Sequence, residues 1–412
     1  MNRLLDTLAP GQRVWMPTLS NESALLRDEL LADPERANGV TFMGLQFPGI
    51  DRVDYLSLHP QARQVGWFMS PALRRGMAEG RAELLSQDYL GIVRHLAEMP
   101  PLDLACAHLT PPDADGWCSP GLASDFLPLV WRQAKRRVAH LNPRLPRLPG
   151  SFRVHVSELA AMVEAEAALN DFVEPVAGAI ERRIGEQVAS LVRDGDTLQF
   201  GIGAMPLAIA QALASHRRLR FRSGMATTLV RTLWDARALD RDAQVITGVV
   251  LGDASLREFV ADLKPLWLTD ASQTHSVQAI AATPRFIAIN GAVEVDLFGQ
   301  VNGERVGGAI QAGSGGLPAF AQGALASPGG RLIICLPSTA RQGSVSRIVP
   351  VLDQQALCTV PRWLTDAVVT EHGTAQLRGL SLHARAEALI GIAAPEHRNA
   401  LAAAWDSIKD LA

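Results

Sequence analysis

Cysteine is scarce in this chain, and Cys106, Cys118, Cys335 and Cys358 stand too far apart to form a CxxC pair. No histidine lies near them at zinc-site spacing, so the sequence offers no structural zinc centre. Cys106 and Cys335 sit in apolar, strand-like runs, where a thiol acts as a small buried hydrophobe. That usage suits a reducing compartment. Long apolar runs are missing as well. None reaches the roughly 18 residues of a membrane span, and the opening MNRLLDTLAPGQRV has no signal-peptide core. A soluble, cytoplasmic protein is therefore expected. An excess of either charge is also lacking: 39 Lys and Arg against 42 Asp and Glu give a net charge of −3. This excludes a broad nucleic-acid footprint. The basic runs Lys135–Arg137 and His216–Arg218 read as solvated helix ends or loops. Motif absences remove further classes. There is no GxxxxGK[ST] phosphate loop, no GxSxG nucleophile elbow and no HExxH zinc helix.

What is present is an ordinary globular composition over 412 residues, a length that favours two or three domains. Two stretches resemble one another. One is Leu8-Ala-Pro-Gly11 followed by Gln-Arg-Val14-Trp-Met-Pro. The other is Leu191-Val-Arg-Asp-Gly195 followed by Asp-Thr-Leu198-Gln-Phe-Gly201-Ile-Gly203. Each pairs a helix-ending leucine with a glycine suited to the left-handed position past a helix, and then an apolar run that reads as a buried strand. We take them as a short internal repeat marking two α/β halves. The proline-rich stretch 142–150 cannot be a helix interior, whereas Ile180, Ile184, Val188 and Leu191 fall on one helical stripe. A boundary near residue 175 is expected, giving domains 1–175 and 176–412. In the second half, strands are expected over 197–202, 244–250, 286–289, 331–336 and 367–370, with a helix over 206–213 and a last helix over 384–392. Alternation of strands and helices argues for mostly parallel sheets with helices on both faces.

The most informative stretch runs from Phe286 through Asn290-Gly291-Ala-Val-Glu294-Val-Asp296 to Asn302. In a strand, Glu294 and Asp296 share one face while Val293, Val295 and Leu297 share the other. Seven glycines then fall between 299 and 316, Gly313, Gly315 and Gly316 among them. Glycine-rich backbone brings amides close to an anion or a developing oxyanion. The alternative is a hairpin turning at Asn290-Gly291 with its acids in water. Gly201-Ile-Gly203-Ala-Met205-Pro206 ends a strand and opens a helix, a place that can hold a phosphate or carboxylate or be only a tight turn; it is not a GxGxxG. Glu371 and His372 form a candidate acid/base pair at a strand end, although neighbours on a strand face opposite ways. Residues 106–121 form a turn-rich loop, and Cys118 in it has no evident histidine partner to act as a nucleophile.

Taken together, several segments resemble signature stretches of the acetyl-CoA hydrolase/transferase family. They are Asn290 to Asn302, Ser119-Pro-Gly-Leu after Pro111-Pro112-Asp113, Gly195 to Pro206, Gly313-Ser-Gly-Gly316, Leu336 to Ala340 with Ser346 to Pro350, and Thr370 to Gly379. The resemblance spans about 100 to 390, with looser agreement before residue 90. It implies two related open α/β domains of CoA-transferase type with mostly parallel sheets. It also implies a catalytic carboxylate at Glu294 that forms a mixed anhydride and then a glutamyl-CoA thioester, with ping-pong kinetics. Acyl-CoA and a small carboxylic acid would be the substrates, with no permanently bound cofactor and no metal. Oxyanion or CoA-binding donors would come from Gly373, from the loop at Thr269 and Asp270, and from Gly313, Gly315 and Gly316. Each such donor is worth about 3 kcal/mol of barrier. A homodimer fits such folds. Net acyl-CoA hydrolysis and a silent CoA-binding subunit are the competing readings.

One departure is plain. Relatives carry a His-Ser/Thr-Glu-Met segment where this chain has Arg222-Ser223-Gly224-Met225, and a tyrosine in place of His372. If Gly201, Gly203, Met205, Arg222 and Met225 line the acid pocket, Arg222 could hold a second carboxylate, or it could be an exposed arginine at a strand end. The chain is also longer than relatives between Leu268 and Phe286.

Overall fold

A computed structural model describes residues 4–409. The chain divides into two compact units, one of residues 1–173 with 245–274 and one of residues 174–244 with 275–412.

The first unit is built on seven strands, all parallel. In order across the sheet they are Ala82–Leu84, Arg63–Gly66, Thr41–Met43, Arg13–Trp15, Leu104–Leu109, Arg136–Leu141 and Ala161–Glu164. Both faces are covered, as parallel sheets require. Leu104 and Cys106 point into one apolar cluster with Val14, Phe42 and Val138, while Ala105, Ala107 and Leu109 point into another with Trp15, Met43 and Phe126. The parallel strands Val245–Val250 and Leu266–Leu268 also belong to this unit.

The strands of the second unit follow the same plan. Arg220–Ala226, Thr197–Phe200, Phe286–Gly291, Arg331–Cys335 and Ala367–Thr370 are neighbours in that order and parallel, and Gly373–Gln376 closes the edge antiparallel. Phe286, Ala288, Leu332 and Ile334 pack on one face with Phe320, Leu377 and Leu389.

The internal repeat has a structural meaning. Gly11 and Gly195 both hold positive φ, +83° and +81°, and each feeds a central strand of its unit. The backbone bonds match: Gly11 N donates to Gly39 O at 2.9 Å and Thr41 N to Gln12 O at 2.9 Å, while Gly195 N donates to Arg217 O at 3.1 Å and Arg220 N to Asp196 O at 2.8 Å. In both units the chain runs outward from this strand to one side and then returns to build the other. The expected class, two related open α/β units with mostly parallel sheets, is what the chain forms.

Details differ from expectation. Asn290-Gly291 is not a turn; it continues its strand opposite Ile334 and Cys335. The helix expected at 384–392 spans Leu382–Ile392 and is not the last, because Pro395–Ile408 follows it. Only Leu401 and Trp405 of that final helix are buried, too few to produce an apolar stripe. The 180–191 stripe forms the Ala179–Ala189 helix, with Ile184 and Val188 buried but Ile180 exposed.

Two buried histidines in the first unit carry a pH consequence. The rings of His108 and His140 stack 4.5 Å apart. His108 contacts Asn21 O at 3.2 Å through Nδ1 and Asn142 Nδ2 at 3.0 Å through Nε2. Burial, and then His140, push His108 down to about 3. The unfolded chain takes up that proton near the ordinary value of 6.5, so the unfolded state gains protons and stability falls as pH drops from there toward 3. Melting temperature measured from pH 7 to pH 4 should therefore decline less steeply in His108→Gln than in the parent; equal slopes would contradict this.

Candidate active site

Glu294 opens the short strand Glu294–Asp296, which follows directly from the central Phe286–Gly291 strand. Strand Val301–Asn302 pairs with it antiparallel, and Ile348–Val349 pairs with it parallel. Val295 is fully buried between them, which fixes the opposite face and sends Glu294 outward. Asn302 stands directly across the ladder, and its Nδ2 donates to Glu294 Oε1 at 2.9 Å and to Arg305 O at 2.8 Å. Its Oδ1 accepts from Glu304 N and Arg305 N, at 3.1 and 3.0 Å. The amide is thus oriented by three backbone contacts and holds one carboxylate oxygen.

Asp296, two residues on, has a different task. It is buried and accepts from Gln300 N at 2.8 Å, Gln300 Nε2 at 2.8 Å and Phe298 N at 3.1 Å. Burial raises its carboxyl, while these bonds work against the rise. They close the turn that returns the chain to Asn302.

Glu294 lines a cavity of about 490 Å³ whose wall includes Asn302, Arg305, Arg341, Arg347 and Asp353. Three guanidinium groups make it a place for anions. A second cavity of about 150 Å³ shares Ala292 and Arg347 with it and is lined by Gly201, Ile202, Met205, Ile289, Asn290 and Cys335. This one lies between the Thr197–Phe200 and Phe286–Gly291 strands, past their carboxyl ends. There the sheet reverses direction, the usual ligand crevice of open parallel sheets. The corresponding reversal in the first unit is nearly filled: the cavity lined by Trp15, Leu19, His108 and Phe126 holds about 30 Å³.

The tip of the Ala367–Thr370/Gly373–Gln376 hairpin braces the Glu294 strand. Thr370 pairs with Gly373, so Glu371 and His372 form the turn rather than a strand end. Glu371 accepts from Ser338 N at 2.8 Å and Ser338 Oγ at 2.7 Å, and His372 Nε2 lies 3.8 Å away. Arg347 N then donates to Ser338 O at 2.8 Å, and Val295 N to Arg347 O at 2.9 Å. Glu371 thus supports the Glu294 strand through this chain of bonds. Glu371→Ala should lower kcat about tenfold while leaving KM nearly unchanged, which steady-state kinetics would show. A change in KM alone would contradict this role.

The other expected site residues fall as follows. Gly373 sits at the hairpin tip with φ +143°. Gly313, Gly315 and Gly316 form the loop that opens helix Leu317–Ala326. Gly203 takes φ +110° and opens helix Ala204–Ala212, with Gly201 and Met205 on the smaller cavity. Arg222 and Met225 are half-buried within strand Arg220–Ala226. Arg222 is thus not an exposed arginine at a strand end, and burial lowers its guanidinium below the ordinary value. Thr269 and Asp270 belong to the first unit. There Thr269 N donates to Thr247 O at 2.8 Å, and Asp270 Oδ1 accepts from Ser272 N at 2.9 Å. Arg305, Arg341 and the roles of Asn302 and Arg347 were not foreseen. Asn302 had one available signal, its spacing from Glu294 across a tight return of the chain.

Comparison with known proteins fits this geometry. Residues 252–405 match the model of the acetyl-CoA hydrolase/transferase C-terminal domain. The 4-hydroxybutyrate coenzyme A transferase of Clostridium kluyveri is 37% identical over 307 residues, 73% of this chain and 72% of that one. A succinyl-CoA:acetate/propanoyl-CoA:succinate CoA transferase of Fasciola hepatica is 34% identical, over 84% of this chain and 75% of its own. RipA from Yersinia pestis superposes with a TM-score of 0.91 at 27% identity, covering 98% of this chain and 96% of that one. The fold and the carboxylate-bearing cleft define a CoA-transferase type of enzyme. The chain belongs to the acetyl-CoA hydrolase/transferase family.

Proposed function

We propose that this enzyme moves CoA between an acyl-CoA and a small carboxylic acid through covalent intermediates on Glu294. The observation that carries the reading is the Glu294 carboxylate on the wall of an arginine-lined cavity, one oxygen held by Asn302. The Oε2 atom attacks the thioester carbonyl, the C–S bond breaks, and CoA leaves as the thiolate with a mixed anhydride left behind. The thiolate then attacks the glutamyl carbonyl. The acid is released as a carboxylate, and a glutamyl-CoA thioester remains. An acceptor carboxylate reverses both steps. Every step exchanges one activated acyl group for another, so the sequence balances without ATP or an oxidant. Arg305, Arg341 and Arg347 meet the anionic groups of CoA and acid. The smaller, more apolar cavity takes the acyl chain, with Arg347 at the junction of the two. The four cysteines are all free thiols, in keeping with a cytoplasmic enzyme.

The test is peptide mass analysis after incubation with acetyl-CoA alone, and then turnover with a panel of acids. A CoA adduct on the peptide containing Glu294, together with acid-dependent turnover, is expected. Turnover indifferent to every added acid would instead identify a hydrolase. No adduct and no turnover would leave a silent CoA-binding subunit.

A further inference from the structure

The Arg220–Ala226 strand and the Gly313–Gly316 loop meet across one imidazole. His275 is 3% exposed, and its ring packs on Phe320 with centroids 4.5 Å apart. Gly224 stands on one side, where a Cβ would come 2.9 Å from His275 Cε1 and 3.1 Å from Nε2. Gly316 stands on the other, where a Cβ would come 2.6 Å from Cδ2 and closer still to Nε2. Neither glycine can carry a side chain while the ring is in place. The ring is therefore the spacer between strand and loop, and the three residues are one packing unit. Burial and the Arg222 guanidinium push His275 down to about 3, so the spacer is uncharged at neutral pH.

The unit sits at the ligand edge of the sheet. Leu198 pairs with Phe221, and Ser223 Oγ donates to Phe200 O at 3.0 Å. Gly224 is therefore one step beyond Phe200, level with Gly201, where the smaller cavity begins. Gly316 ends the glycine loop that opens the Leu317–Ala326 helix. Position 224 carries no side chain, and the His275 imidazole occupies the space beside it.

We propose that His275 is a specificity-setting positioning residue, whose ring, wedged between Gly224 and Gly316, fixes the width of the acid pocket and restricts it to small, unbranched carboxylic acids. This rests on the transferase reading of the site. Removing the ring lets the glycine loop and the strand edge relax, widening the pocket toward bulky acids. A change of one or two methylene equivalents in an apolar pocket shifts selectivity by about 10- to 200-fold.

The experiment compares acetate, butyrate and cyclohexanecarboxylate as acceptors from acetyl-CoA, with kcat and KM for each acid, in the parent, His275→Ala, Gly224→Ala and the double variant. In His275→Ala, the kcat/KM ratio of cyclohexanecarboxylate to acetate should rise about tenfold or more. The glutamyl-CoA adduct should still form on Glu294 from acetyl-CoA. Gly224→Ala forces a methyl group against the ring and should lower activity with all acids. Adding His275→Ala should recover part of that loss, a non-additive result that remains readable even if His275→Ala alone is unstable. A uniform loss across the acids, or an unchanged ratio with an additive double variant, overturns the proposal. If the parent forms no adduct, the transferase reading itself fails; an adduct with unshifted selectivity fails this inference alone.

Discussion

Glu294→Asp should lose about a hundredfold in kcat/KM, and Glu294→Gln should lose at least about 10⁴-fold. The reason is geometric in the first case and chemical in the second. Aspartate keeps the charge but draws the carboxylate back by one methylene, away from Asn302 Nδ2, which now lies 2.9 Å from Oε1. The reacting oxygen then falls short of the thioester carbonyl by more than 1 Å. Glutamine keeps the length but has no anionic oxygen to form the anhydride. Both variants should fold as the parent does, because Glu294 lies on a cavity wall while the packing of its strand rests on Val295. Single-turnover release of CoA thiol from acetyl-CoA reads both effects. Near-parental turnover in either variant would remove Glu294 from the role of nucleophile.

Asn302→Asp should have the next largest effect, and one with a distinctive signature. The substitution is isosteric, but it places a second carboxylate within hydrogen-bond distance of Glu294 and removes the donor to Arg305 O. Two carboxylates so close share a proton, because both cannot be charged at little cost. The nucleophile must be ionised to attack, so the acid limb of the pH–rate profile should move upward, by about two pH units. On the acid limb kcat/KM should fall about a hundredfold below the parent and recover toward it as pH rises to about 8. Asn302→Ala should lose activity without that recovery. An unshifted pH profile in Asn302→Asp would mean that the amide does not govern the carboxylate.

The sequence made some of this legible and hid the rest for physical reasons. Strands such as Phe286–Gly291 and Arg331–Cys335 are apolar on both faces, so they read as buried runs. The three-residue strands Thr41–Met43 and Ala82–Leu84 are too short to show a period. Glu294 stood out because valines flank it on alternate positions and glycines follow. Its arginines did not. Arg305 comes from a two-residue strand, Arg341 from a turn at φ +48° and Arg347 from a link between two short strands. Only the folded chain brings them to one cavity, because no periodicity connects them. Asp296 shares a face with Glu294 by alternation, yet the tight return at Gln300 absorbs its carboxylate.

Two units share one frame, open in one and nearly solid in the other at the same crossing of the sheet. In the first unit aromatic side chains fill that crossing where its counterpart keeps glycines. Its tolerance to mutation there should track melting temperature alone. In the second unit, changes at the crossing should alter catalysis before they alter folding.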